Sequence, residues 1–174
     1  MKKIILYIIC IFSLIGMSAF ATPNAPKTPL EIIQDLYQPY LDDPHAEKTN
    51  SPDALNLILL NASTSLKLAI EKEQACQKQE EGICGIDFDI IINAQDWDIS
   101  NFKLKEINLK RDDILKNGPG VDATFVNGGK NLVRYSFVQE NGEWKIENVQ
   151  ATRFNKAGKI EHFSELISLL NYSK

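Results

Sequence analysis

The chain reads as an α+β protein, with N-terminal helices packed on a curved antiparallel sheet of about four strands and a closing C-terminal helix. Three observations carry this expectation. Apolar residues recur at helical spacing between Leu30 and Ile70. From Asn101 the period shortens to that of strands. Asn141-Gly142, set between two alternating runs, is a strong hairpin signal because both residues tolerate positive φ.

The first 21 of the 174 residues read as a signal peptide. Lys2 and Lys3 form the positive start, Ile4–Gly16 is apolar but for Ser13, and Ala19-Phe20-Ala21 is a small-x-small cleavage signal. The apolar run is short for a spanning helix, so no stable membrane anchor is expected. Cys10 lies inside that run rather than after a small residue at its end, so a lipoprotein is not expected either. Residues 22–27 form a Pro-containing flexible leader, and 28–174 a single domain. The whole chain has 19 basic and 23 acidic residues and a net charge of −4, which becomes −6 once Lys2 and Lys3 leave. It has no basic run of five, which argues against nucleic acid as a partner.

Thr28-Pro29-Leu30-Glu31 is a helix start: a cap, proline at the first position, and a capping-box glutamate. Pro39 is expected to end or kink this helix. Ser51-Pro52-Asp53 opens a second, long helix, roughly Asp53 to Gln77. Cys76 lies at its end, and Cys84 is the only other cysteine left after cleavage. The C-x7-C spacing fits neither a redox nor a usual zinc motif, so a structural disulfide in an oxidising compartment is expected.

Strands are expected at Phe102–Leu109, Val121–Val126, Leu132–Glu140 and Trp144–Arg153, with Gly118-Pro119-Gly120 as a turn. A helix over Glu161–Leu170 closes the chain. A two-residue turn at Asn141-Gly142 sets Phe137 opposite Ile146, Gln139 opposite Trp144, Tyr135 opposite Asn148 and Val133 opposite Gln150, all on one face. A three-residue Asn127-Gly128-Gly129 loop puts Val121, Ala123 and Phe125 on that same face and Asp122 opposite Arg134 on the other. Apolar walls with Tyr135, Asn148 and Gln150 describe a candidate pocket.

The densest polar cluster runs from Asp87-Phe88-Asp89 through Ile90-Ile91-Ile92-Asn93-Ala94 to Gln95-Asp96-Trp97-Asp98. Paired carboxylates can hold a hard cation or move protons. Ile91 and Ile92 break the calcium-loop pattern, so no metal is expected. The same residues can equally serve as turns and caps around a buried Ile90–Ile92 segment. The candidate binding residues are Asp87, Asp89, Gln95, Asp96 and Trp97, with Tyr135 and Asn148 from the sheet.

The run Asp87-Phe88-Asp89 to Gln95-Asp96-Trp97-Asp98 resembles the signature of the bacterial envelope family described as domain of unknown function 3828. Gly142-Glu143-Trp144-Lys145-Ile146-Glu147-Asn148-Val149 resembles its closing strand, and Tyr37-x-x-Tyr40-Leu41 is compatible with it. The resemblance covers about Leu30 to Val149. It implies a small exported protein with the cone-shaped, nuclear-transport-factor-2-like α+β fold. Ile90 departs from the proline often found there, and no lipid-attachment site accompanies the signal.

The leading functional expectation is a non-catalytic periplasmic binding or interaction module, for an unknown small ligand or envelope protein, without cofactor; a dimer is compatible with it. There is no G-x-S-x-G, and His45 and His162 are the only histidines. Two alternatives stand beside it. One is an isomerase- or dehydratase-like enzyme using Asp89 or Asp96 as base. The other is an immunity or inhibitor protein against an envelope-acting toxin.

Overall fold

A computed structural model describes residues 25–45, 52–79, 84–110 and 118–171. The expected signal peptide and its cleavage at Ala21 lie outside them. The described residues form one antiparallel sheet in the order β1 (Ser100–Leu109), β2 (Gly118–Val126), β3 (Lys130–Glu140), β4 (Glu143–Phe154) and β5 (Ile160–Glu165). Four helices accompany it: α1 (Pro29–Leu41), α2 (Ala54–Leu59), α3 (Thr64–Gln79) and α4 (Leu166–Asn171). The α+β class and antiparallel sheet are as expected, but the sheet has five strands rather than about four.

α1 starts as its sequence dictates. Thr28 Oγ1 accepts from Glu31 N–H at 3.3 Å, and Glu31 accepts from Thr28 N–H at 2.8 Å. Pro39 does not end the helix, which runs on to Leu41. So close to the terminus a proline removes little of the ladder, and Tyr40, fully buried, anchors the last turn edge-on against Trp97.

The expected long helix is two helices. Between them Asn61 O accepts from Ile146 N–H at 2.7 Å, and Ser63 N–H donates to Ile146 O at 2.8 Å. β5 pairs with β4 only from Gln150 onward, so the backbone of Ile146 needs another partner, and the chain breaks helix to supply it. Ser63 Oγ then accepts from Leu66 N–H, and the Glu140 carboxylate accepts from Thr64 N–H and Oγ1–H.

Gly118-Pro119-Gly120 is the start of β2 rather than a turn. A Cβ on Gly120 would stand 2.9 Å from Tyr135 O, so only glycine lets β2 and β3 approach there. The three-residue loop 127–129 is present with Gly128 at φ +63°. The Asn141-Gly142 hairpin sets Phe137 opposite Ile146 and Gln139 opposite Trp144. Beyond them the register changes: Ser136, not Tyr135, faces Asn148, and Tyr135 faces Val149. Glu147 is the extra residue of a β-bulge, which turns Val149 and Ala151 into the core and Asn148 and Gln150 to the opposite face.

The expected closing helix is β5 followed by the short α4. Asn155 begins the turn that forces this: its N–H donates to Lys159 O, its side chain accepts from Ala157 N–H, and Gly158 takes φ +75°.

One sheet face packs on α1. Tyr37 meets the rings of Phe102, Phe125 and Tyr135 at 4.8, 5.9 and 6.3 Å. The other face carries a row running through Lys105, Asp122, Arg134, Gln150 and Glu165 on the five successive strands. In its middle Arg134 donates to both Asp122 oxygens, at 2.7 and 2.9 Å. Cys76 and Cys84 stand at disulfide distance, Cα atoms 6.1 Å apart. Among the described residues no helix is long and apolar enough to cross a membrane.

Candidate functional site

The segment from Asp87 to Asp98 folds as a compact loop under α1. Asp89 and Ala94 exchange backbone hydrogen bonds of 3.0 and 3.3 Å, closing a turn around Ile90–Asn93 with Asn93 at φ 54°. Three consecutive isoleucines enter the core fully buried. Each contributes about 1.5–3 kcal/mol of apolar burial. That burial requires their backbone groups to be satisfied, and side chains from distant elements do it. Tyr37 Oη donates to Ile91 O at 2.8 Å. Asn127 Nδ2 donates to Ile92 O and Asp96 O, while its Oδ1 accepts from Asp98 N–H. Arg153 donates to Asn93 O.

Asp89 heads the turn. Its Oδ1 accepts from the N–H groups of Ile91 and Ile92 at 2.8 and 3.3 Å, and its Oδ2 accepts from Tyr40 Oη. Burial pushes this carboxyl up to about 6 from 3.8, the Tyr40 and backbone donors pulling against the rise and the Asp53 charge adding to it. Burial likewise raises the Tyr40, Tyr37 and Tyr135 hydroxyls, so all three stay protonated donors.

Asp89 borders a cleft of about 380 Å³ between the start of α2, the C-terminal end of α3 and the loop. Leu55, Ile86 and Phe88 supply its apolar wall, and Asp53, Asp87 and Gln95 supply polar groups. The wall at Ile86 is fixed from beneath by Glu73, fully buried on α3, which accepts from Gly85 and Ile86 N–H at 2.8 and 3.2 Å.

The expected site residues therefore part company. Asp87, Asp89 and Gln95 meet at the cleft. Asp96 is exposed, with its backbone oxygen held by Asn127. Trp97 is buried and donates to Asp43 O at 2.6 Å. Tyr135 is fully buried, its hydroxyl 3.1 Å from Tyr37 Oη, and the sheet face it shares is filled by α1. Asn148 lies across the sheet from it, bonded to Glu165 and to Ile167 N–H.

Asp53, Leu55, Ile86 and Phe88 were not legible as cleft residues, since nothing local signals that two helix ends converge on the loop. A further contact follows from β5 being a strand: His162 Nε2 lies 2.7 Å from Ser164 Oγ. Ser164 is only 6% exposed. Among the described residues no three His, Cys, Asp or Glu side chains group as metal ligands. Compared with protein-family models, with curated proteins and with solved structures, the chain matches none.

Proposed function

We propose that the chain is an exported, non-catalytic binding module that takes a small ligand with an apolar body and a hydrogen-bond-donating or cationic group in the cleft beside Asp89. The observation that carries this reading is the cleft itself, with an apolar wall at Leu55, Ile86 and Phe88 facing the carboxylates of Asp53, Asp87 and Asp89. Export through a signal peptide cleaved after Ala21 belongs to the same reading, as does a periplasmic location, which suits the paired cysteines. So does membership of the unknown-function envelope family, with its nuclear-transport-factor-2-like cone. The bulge in β4 supports the cone, because bulges bend sheets.

An enzymatic reading has one observation in its favour: a carboxyl raised to about 6 beside a cleft is suited to a general base. Against it, both Asp89 oxygens are held by protein donors, which makes the group a fixed acceptor.

The test compares phenethylamine with its anionic counterpart phenylacetate by thermal shift and by ligand-observed NMR. The amine is expected to raise the melting temperature, and phenylacetate to leave it unchanged. Leu55→Trp, which fills the cleft, and Asp87→Asn should both weaken the effect, while Asp96→Asn should not. An equal response to the two probes, or a response untouched by Leu55→Trp, sinks the assignment.

A further inference from the structure

Three of the five large apolar side chains that stand exposed among the described residues share one end of one sheet face. These are Val126 at 39%, Ile160 at 64% and Phe163 at 48% exposure; the other two, Leu60 and Leu68, belong to the α2–α3 region. The register fixes the grouping. Val126, Lys130, Phe154 and Ile160 lie opposite one another across β2, β3, β4 and β5. The next row holds Thr124, Leu132, Thr152 and Phe163. Directly opposed residues in an antiparallel sheet point to the same side, so these rows gather Val126, Leu132, Phe154, Ile160 and Phe163, with Lys130 and two threonines among them, into a largely apolar strip on the face away from α1.

The strip is flanked by cations. Lys130 sits within it, its Nζ 5.9 Å from the centre of the Phe154 ring. The β4–β5 turn, at the same end of the sheet as the 127–129 loop, carries exposed Lys156 and Lys159. Glu161 is a carboxylate on this stretch of β5, and the adjoining row on the same face carries Asp122, Arg134 and Glu165. The acidic loop 87–98 attaches to the neighbouring hairpin from the other face, through Asn127 and Asn93–Asn131. A chain that is acidic overall thus presents lysines beside its exposed apolar strip.

We propose that this strip is a docking surface for an anionic phospholipid bilayer, with Phe163 and Ile160 entering the headgroup–acyl boundary and Lys130, Lys156 and Lys159 meeting lipid phosphates. Apolar residues with lysines at one end are the composition of an interfacial membrane contact. A second copy of the chain fits less well. A two-fold contact lays the same patch on itself, which would gather two sets of Lys130, Lys156 and Lys159 into one interface. The proposal is independent of the cleft, which lies beside α2 and the 86–95 loop.

The test is co-sedimentation of the purified chain, as recovered from cells, with vesicles of phosphatidylethanolamine containing phosphatidylglycerol, against vesicles of phosphatidylcholine alone. Binding is expected to the anionic vesicles, falling with salt as the screening length shortens. Joint replacement Lys130→Gln, Lys156→Gln and Lys159→Gln should weaken it about a hundredfold, at about fivefold per lysine. Ile160→Ser with Phe163→Ser should abolish it. All five side chains are exposed, and far-UV circular dichroism and melting temperature verify the fold of each variant. Equal binding to phosphatidylcholine overturns the proposal, as does salt-insensitive binding, or none to the anionic vesicles. A dimer in sedimentation velocity that the double serine variant dissolves overturns it in favour of a second copy.

Discussion

Asp89 shows how one side chain can serve a turn, a core and a cleft together. Its folded carboxyl is raised above the unfolded value, so the native state binds the proton more tightly than the unfolded chain does. The stability this confers is complete below about pH 4 and is lost as pH rises through about 6. Near neutral pH the buried charge therefore costs up to about 3 kcal/mol, a net figure in which the pull of its three donors is already included. Asp89→Asn keeps an acceptor for Ile91 and Ile92 N–H, and its amide can donate to Tyr40 Oη. The variant should be more stable than the parent by about 1–2 kcal/mol near pH 7, and the gap should close toward about pH 4. Urea denaturation across that range measures it. A variant less stable than the parent at neutral pH would mean that the ionised carboxylate is itself the favoured partner of Tyr40.

At the scale of elements, what was legible in the sequence was set locally, and what was not was set by contacts between distant elements. The Thr28 cap, the Gly128 loop, the Asn141-Gly142 hairpin and the Asp122–Arg134 pair all follow from residues close in sequence or from a turn that fixes register. The α2–α3 break does not, because its cause is the backbone of Ile146, more than eighty residues away. Nor does the β4 bulge, since a single added residue leaves a perfectly alternating pattern readable on either side. The same bulge separated Asn148 from Tyr135 and so dissolved half of the expected sheet pocket. The Asp87–Asp98 segment was legible as a unit, but its neighbours in the cleft were not. Deleting Glu147 tests the bulge. Without it Asn148 still pairs with Ser136 and Val149 with Tyr135, now in unbroken alternation from Ile146, so Val149 and Ala151 keep the inner face and only the bend is lost. The burial of Val149 and Ala151 and the bonds of Asn148 and Gln150 to Glu165 are compatible with that regular strand. The deletion is expected to lower stability by less than about 3 kcal/mol, read by urea denaturation; unfolding of the chain would show that the bend of β4, and not only its register, is needed to seat the helices.

At the scale of the whole molecule, the start of α2, the C-terminal end of α3 and the loop 86–95 converge on the cleft. Its wall at Ile86 is held at two levels. Glu73 accepts the Gly85 and Ile86 N–H groups, and the Cys76–Cys84 pair ties the same stretch to the end of α3. A disulfide over so short a loop contributes about 2.5 kcal/mol in the chain-entropy account. Its larger consequence is local, because without it the wall is held beside α3 through Glu73 and the packing of Ile86. Cys76→Ser with Cys84→Ser should lower global stability by about 2–3 kcal/mol in urea denaturation. Amide exchange at Ile86, Asp87 and Phe88 should quicken more than exchange in the strand pair β2–β3, which is far from the bridge. If phenethylamine binds in the cleft, its thermal shift should shrink in the double serine variant and on reduction of the parent chain. Uniform acceleration of exchange across sheet and loop would instead place the effect of the disulfide in the unfolded chain, with no special part in shaping the cleft.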